Sequence, residues 1–401
     1  MHSREEEIRK TQEIIINDNI INTAIAESEL EEKTKKTNKS NLFGLIFVLV
    51  NIILVVILGF TSFNNSDAGD VTFGEMFKTW MSGNNAIFWF IAMGLGLLAL
   101  IAESLKFFVM IRKTTHKNKP WLSLKTAIMG KYYDNITPLG SGGQPFQIFY
   151  LSKGGVPGAE SMYLPTASFF LNQFAFLILC IVAFIFKSGL ISDQPVFLIM
   201  AYIGAAFSIV LPTLIFVISF MPKLRAKIIK LCVRVSFKLK FVKNKGAATR
   251  KANKLVNDYK RSLFVLAKSK LTLLIITFLS FVYQLALCSI PYFVIRACGV
   301  TVNYFDSLCI CIFVYAAISF IPTPGNSGAA EVSFSILFTM LHGLAGVSSY
   351  WAMAYWRFCC YFLGVLLGMC FIVGGMIKSN RARKKELAIE KEKLESKKSV
   401  Q

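Results

Sequence analysis

Two short stretches combine proline, glycine and hydroxyl residues inside strongly apolar sequence. One runs from Thr137 to Pro145 and the other from Pro322 to Gly328, and both contain Thr-Pro followed by glycine, serine and glycine. Proline and glycine interrupt helices, and hydrocarbon excludes unpaired backbone groups unless protein or a water-filled cavity covers them. Paired breaks in two halves of a membrane protein indicate a binding site between repeats. Tight turns at the membrane surface are the alternative.

The glycines of these stretches suggest how the site would recognise an anion. A glycine run at the start of a half-helix can offer free backbone N–H groups and a positive dipole end to a phosphate, whereas close helix packing is the simpler role of small residues. We expect positive φ at Gly142 and Gly328. The predicted substrate-binding residues of the two stretches are Asn135, Thr137, Pro138, Gly140, Ser141, Gly142, Gly143, Gln144, Gln147, Thr323, Pro324, Gly325, Asn326, Ser327 and Gly328.

Four ionisable residues in or beside apolar runs extend the predicted substrate site: Glu103, Asp306, Glu331 and Arg357. Charges inside membrane spans are costly and are functional candidates by default. We expect Glu331 and Arg357 to meet, because a buried charge needs a partner. The pair is either a static lock, or Arg357 alternates between Glu331 and a lipid phosphate, and we expect the second role.

The composition is that of a polytopic membrane protein. Of 401 residues, 54% are hydrophobic and only 17% are charged. The net charge of +21 does not indicate a nucleic-acid partner, since the basic residues flank apolar runs. The nine cysteines have no ligand-like spacing and are expected to be small buried residues. We expect no catalytic group, no metal site and no cofactor.

The positions of lysine and arginine predict the topology and the domains. Residues 1–41 form a polar tail, residues 42–378 a membrane domain and residues 379–401 a basic tail. Residues 222–270 form a basic loop whose helix-like spacing predicts amphipathic helices on an anionic leaflet, although part of it also alternates like a strand. Basic loops face the cytoplasm, so both termini and this loop are expected there, in a cell membrane.

Charge and apolar pattern together predict an all-α fold. The expected architecture has about six full spans and two re-entrant helical hairpins, each centred on one of the broken stretches. The hairpins enter from opposite faces and so form an inverted repeat. If the hairpins cross the membrane instead, the chain has eight spans.

Residues 42 to 378 resemble the transmembrane-domain family of lysylphosphatidylglycerol synthases and their stand-alone flippase-like relatives. The motifs are Asn135 to Tyr150, with its Thr-Pro and glycine-rich turn, and Pro322 to Glu331, with Pro-Thr-Pro-Gly. The resemblance implies a membrane domain that moves lipid head groups between leaflets. Many relatives carry an acid and an arginine after the first turn, where this chain has Gln144 and Gln147.

Three functions follow from this resemblance. The first is translocation of an anionic or aminoacylated phospholipid, of the phosphatidylglycerol or lysyl-phosphatidylglycerol type, linked to lipid modification and cationic-peptide resistance. The second is a phosphatidylglycerol lysyltransferase, for which the cytosolic segments are too short to form the required soluble domain. The third is a membrane partner of a separate soluble transferase. Expected partners are membrane phospholipids, and a second copy of the chain in a homodimer.

Overall fold

The computed structural model describes residues 72–138, 140–220, 269–342 and 347–398, with the single positions 53, 227 and 246. The predicted N-terminal tail, first span and amphipathic segments of the basic loop lie outside this described part of the chain. The described residues form α-helices joined by turns. They confirm the predicted all-α class.

Eleven α-helices follow one another in the described residues. They are α1 (Phe73–Trp80), α2 (Asn85–Thr115), α3 (Pro120–Ile136), α4 (Gly143–Lys153), α5 (Gly158–Lys187), α6 (Pro195–Phe220), α7 (Lys270–Ala297), α8 (Tyr304–Ile318), α9 (Ala329–His342), α10 (Val347–Arg357) and α11 (Leu363–Lys398). A 3₁₀ turn at Ser188–Ile191 follows α5, and a π-helical turn at Phe358–Phe362 joins α10 to α11.

Within the part of the chain that the structure describes, four helical segments are long and apolar enough to cross a membrane: Asn85–Thr115, Gly158–Ile191, Lys270–Ala297 and Ser349–Ala382. Helices suit such sequence because each one satisfies its own backbone hydrogen bonds in hydrocarbon. The chain is therefore a polytopic membrane protein. Helix α11 continues to Lys398, so the predicted domain boundary at residue 378 does not coincide with a helix end.

Helices α3 and α4 form a hairpin that begins and ends at the same end of the helix bundle. They contain 17 and 11 residues, which at about 1.5 Å per residue is about 26 and 17 Å, less than the roughly 30 Å of a hydrocarbon core. Lys119, just before α3, donates from Nζ to the carbonyl oxygen of Gly154, just after α4, at 2.6 Å. The first hairpin is therefore re-entrant in shape.

Helices α8 and α9 form the second hairpin, which begins at the opposite end of the bundle. Helix α5 starts beside the end of α4 and spans 30 residues, or about 45 Å. Its last residue, Lys187, forms an ion pair of 2.8 Å with Asp306 in the first turn of α8. Because α5 carries the chain from one end to the other, the two hairpins enter from opposite ends. This is the inverted order predicted from the sequence.

The two hairpins meet at their tips. We name residues 137–142, between α3 and α4, the first turn, and residues 319–328, between α8 and α9, the second turn. An antiparallel backbone bridge joins Pro138 of the first turn to Pro324 of the second. Helix α6 supports the second turn, since Ser319 donates from Oγ to the carbonyl oxygen of Gly204 at 3.3 Å. Protein contacts thus cover part of each broken segment, where unpaired backbone would be costly in hydrocarbon.

Candidate functional site

The contact between the turns is fixed by the last span. Asn135 donates from Nδ2 to the carbonyl oxygen of Tyr361 at 3.0 Å, and the Tyr361 hydroxyl donates to the carbonyl oxygen of Asn135 at 3.2 Å. Gly325 lies so close that a Cβ there would collide with the Tyr361 ring and lie 2.9 Å from the Asn135 carbonyl oxygen. The site therefore needs glycine at this point of closest approach.

The first turn is held by its own side chains. The Gly142 N–H donates to Thr137 Oγ1 at 2.8 Å, and the Gly143 N–H donates to Asp134 Oδ1 at 2.8 Å. The expectation that these N–H groups are free for a phosphate is therefore wrong. Gly142 has φ of −83°, so the expected positive φ is also wrong. Lack of space requires glycine there, because a Cβ would lie 2.7 Å from Thr137 Cγ2 and 3.0 Å from the Tyr133 carbonyl oxygen.

The second turn is organised by a buried ion pair. Arg357 donates from Nε to Glu331 Oε1 at 2.6 Å, which confirms the predicted meeting of these residues. The second Glu331 oxygen accepts from the Gly328 N–H at 2.7 Å, and Gly328 has the expected positive φ, +86°. Arg357 also donates from Nη2 to the Gly325 carbonyl oxygen at 3.2 Å and to Ser327 Oγ at 3.1 Å.

These contacts occupy both members of the pair. Glu331 and Arg357 are only 6% and 5% exposed, and both carboxylate oxygens of Glu331 accept hydrogen bonds. The guanidinium of Arg357 also lies 4.8 Å from the centre of the Tyr361 ring. In this arrangement Arg357 ties the last span to the second turn, and the geometry favours the static lock among the two roles considered.

A hydrophilic cavity of about 80 Å³ lies beside the first turn. Helices α2, α3, α4, α5 and α7 supply its wall, and its volume holds several water-sized groups. The predicted residues Glu103, Gly140, Gln144 and Gln147 line it. Its other polar lining residues are Lys131, Asp134, Ser168, Asn172 and Tyr283. Polar lining of this kind can replace part of the hydration of a charged group inside the membrane.

One wall of the cavity is a fully hydrogen-bonded ionic network. Glu103 forms an ion pair of 2.7 Å with Lys106, whose side chain is fully buried. Lys106 also donates to Asn172 Oδ1 at 2.6 Å and to Ser280 Oγ at 3.3 Å. Glu103 accepts from Ser168 Oγ at 2.6 Å and from Asn172 Nδ2 at 3.2 Å. This network joins α2, α5 and α7, so Glu103 is both a lining residue and part of the scaffold.

The structure gathers most of the predicted site residues but not Asp306. Asp306 lies at the far end of α8 from the second turn and pairs with Lys187. Among the described residues of the turns, five are exposed on the protein surface, namely Pro138, Gly140, Ser141, Pro322 and Gly328. The turns are therefore accessible from outside the helix packing as well as from the cavity.

Sequence reasoning missed several residues of the site. Lys106 follows Glu103 by three residues, and this spacing alone predicts an ion pair on a helix. Lys131 and Asp134 have the same spacing just before the first turn, although a lysine at the end of an apolar run is also typical of a cytoplasmic flank. Tyr361 carries no sequence signal beyond lying one turn after Arg357. Within the described residues, no three His, Cys, Asp or Glu side chains are grouped as a metal site requires.

Comparison with known proteins identifies the architecture. The family model described as the lysylphosphatidylglycerol synthase TM region matches residues 41–368. This range contains both hairpins, both turns, the cavity and the Glu331–Arg357 pair. A search of curated proteins gives no match.

Proposed function

Because this chain belongs to the lysylphosphatidylglycerol synthase transmembrane family, we propose that it moves phospholipid head groups between the two leaflets of a membrane. The observation that carries the proposal is the polar cavity beside two broken turns that meet tip to tip. A purely structural membrane domain has no need of a hydrophilic cavity, and broken helices at a repeat interface are the usual location of transporter sites.

The chemistry of lipid exchange explains what such a cavity does. The charged head group is the part of a phospholipid that hydrocarbon excludes, since removing a charge from water costs several kcal/mol or more. Side chains such as Gln144, Gln147 and Lys131 offer hydrogen bonds that replace water along the path. The acyl chains need no such help because they stay in the surrounding lipid.

The hairpins supply the two sides of the path. One hairpin enters from each end of the bundle, so each leaflet has its own route to the point where the turns meet. Small movements of one hairpin against the other would open the cavity to one side at a time, which is the principle of alternating access. The Glu331–Arg357 pair keeps the second turn folded during this movement, because breaking it would leave a buried charge.

We propose an anionic or aminoacylated phospholipid as the substrate and the cell membrane as the location, with both termini and the basic loop in the cytoplasm. The basic loop, residues 222–270, would contact the anionic inner leaflet. Support for this orientation comes from the distribution of lysine and arginine along the chain.

Reconstitution in liposomes tests the proposal. The full chain is inserted into vesicles that contain phosphatidylglycerol, lysyl-phosphatidylglycerol or polyprenyl phosphate, labelled on the acyl chain or the prenyl tail so that the head group stays intact. Dithionite then quenches only the outer leaflet. We expect complete quenching of at least one phospholipid in protein-containing vesicles and about half quenching without protein. Half quenching of all three probes in both preparations would contradict the proposal.

A further inference from the structure

We propose that Lys131 and Asp134 form a two-point docking site for a head group that carries one phosphate and one ammonium. The inference rests on the proposed function and, within its aminoacylated class, specifies a head group whose single ammonium balances its phosphate, so that the net charge is zero. Both residues lie on α3, three positions apart, and both line the cavity beside Gly140, Gln144 and Gln147.

Lys131 offers an ammonium that interacts electrostatically with Asp134 but makes no hydrogen bond or ion pair with it. Neither a hydrogen bond nor an ion pair joins its Nζ to any residue of the described part of the chain. Lys106 provides a contrast, because its ammonium is also inside the helix bundle but has three polar partners within 3.3 Å. A cation in a membrane cavity is stable only with a counter-charge or water. A phosphate is the anion that a phospholipid would bring to it.

Asp134 offers a carboxylate oxygen in the same cavity. Its Oδ1 accepts a hydrogen bond from the Gly143 N–H, at the start of α4, at 2.8 Å. No described residue donates a hydrogen bond to Oδ2. An ammonium group on the ligand would donate a hydrogen bond to this oxygen. Lys131 and Asp134 thus both line the cavity without a direct ion pair between them.

The charge of the cavity selects the net charge of its ligand. Glu103 is neutralised by Lys106, and Lys131 balances Asp134, so two acids and two bases give a net charge of zero. The nearby Glu331–Arg357 pair is neutral as well. An uncompensated charge is unfavourable in a low-dielectric site, so a zwitterionic head group enters more readily than an anionic one.

Arg357 does not provide an alternative phosphate anchor in this structure. Its guanidinium already contacts Glu331, Ser327 and the Gly325 carbonyl oxygen. Lys131 is therefore the cation available for a phosphate in the cavity, and Gln144 and Gln147 can add amide N–H donors.

Head-group competition in liposomes tests this assignment. Acyl-labelled phosphatidylethanolamine, which carries one phosphate and one ammonium, is compared with acyl-labelled phosphatidylglycerol, which carries the phosphate alone. We expect the unmodified protein to exchange phosphatidylethanolamine at least tenfold faster. Lys131→Gln should slow this exchange at least tenfold, whereas the control Lys117→Gln, which removes an exposed charge outside the cavity, should leave it unchanged.

Asp134→Asn separates ligand recognition from a structural role. Asparagine keeps an oxygen for the Gly143 N–H, so the first turn is preserved, but the cavity gains a net charge of +1. We expect the rate ratio to shift at least tenfold toward phosphatidylglycerol. A residue that only holds the turn would slow both lipids by the same factor.

The outcomes separate this inference from the proposed function. Equal rates for the two lipids in the unmodified protein, or an unchanged ratio in Asp134→Asn, overturn the docking site and leave lipid exchange intact. Absence of exchange for every phospholipid overturns the proposed function and the docking site with it. If Asp134→Asn does not elute as a single folded species, the unmodified protein and Lys131→Gln decide the question.

Discussion

Removal of the Glu331 carboxylate should destabilise the protein strongly, because it leaves the Arg357 guanidinium buried without its counter-charge. In Glu331→Gln, the single amide oxygen can accept from Arg357 Nε or from the Gly328 N–H, which now share two carboxylate oxygens. The amide NH₂ group then faces the remaining donor. Breaking a buried pair by removing one partner costs about 3–5 kcal/mol, and we expect a loss of this size.

The Lys187–Asp306 pair provides a matched control. Its ion pair has a similar length, 2.8 Å, but its side chains are 35% and 24% exposed. A partly exposed pair contributes about 0–1 kcal/mol, so Asp306→Asn should change the free energy of unfolding by no more than about that amount. Both variants are measured by SDS titration in mixed micelles. A loss in Glu331→Gln no greater than the loss in Asp306→Asn would refute the reasoning from burial.

The double variant Glu331→Gln with Arg357→Gln distinguishes the two roles of the pair. It leaves no unpaired charge, so much of the stability should return. The contacts of Arg357 favour a lock, and we therefore expect lipid exchange to return together with stability. A stable but inactive double variant would show instead that Arg357 contacts the transported head group.

Three further predictions concern the glycines and the topology. Gly142→Leu and Gly328→Leu should each abolish lipid exchange, although the protein should still insert into the membrane. Gly142 lacks space for a side chain. Gly328 has a positive φ, which costs residues other than glycine about 1–2 kcal/mol. Normal exchange in both would make them packing residues. Gly325→Ala should lower the melting temperature in detergent, because its Cβ would collide with the Tyr361 ring, and an unchanged value would refute this contact. A cysteine placed at Lys245 should react only with membrane-permeant reagents, and labelling from outside would overturn the topology.

Much of the fold could be predicted from the sequence because hydrocarbon restricts which secondary structures a membrane segment can form. Apolar runs must become helices, and the apolar run that begins at Pro195 forms α6. The positions of the two turns followed from proline and glycine. The Glu331–Arg357 pair followed from the cost of a buried charge, since these two opposite charges lie in or beside the second hairpin and the last span.

The rest of the site depends on which face of a helix a residue occupies. The charge pattern along the chain does not distinguish Lys131 from a lysine that flanks the membrane, whereas in the folded protein it lines the cavity. The free N–H groups expected at the glycines are taken by Asp134 and Glu331. Neither carboxylate could be assigned that role before the geometry of the turns was known. The exchange of hydrogen bonds with Tyr361 arises from tertiary packing, which local sequence does not encode.

The central claim is that the two turns meet to form one site, and a disulfide across the Pro138–Pro324 bridge tests it most directly. Paired residues of an antiparallel bridge have Cα atoms about 4.5–5.5 Å apart, within the roughly 4.4–6.8 Å that a disulfide spans. Cysteines replace both prolines in a chain whose nine native cysteines are changed to serine or alanine, and a protease site is inserted after Lys245. After oxidation and cleavage in the membrane, we expect the two halves to migrate together without reductant and separately with it. Halves that separate after oxidation even without reductant would contradict the account.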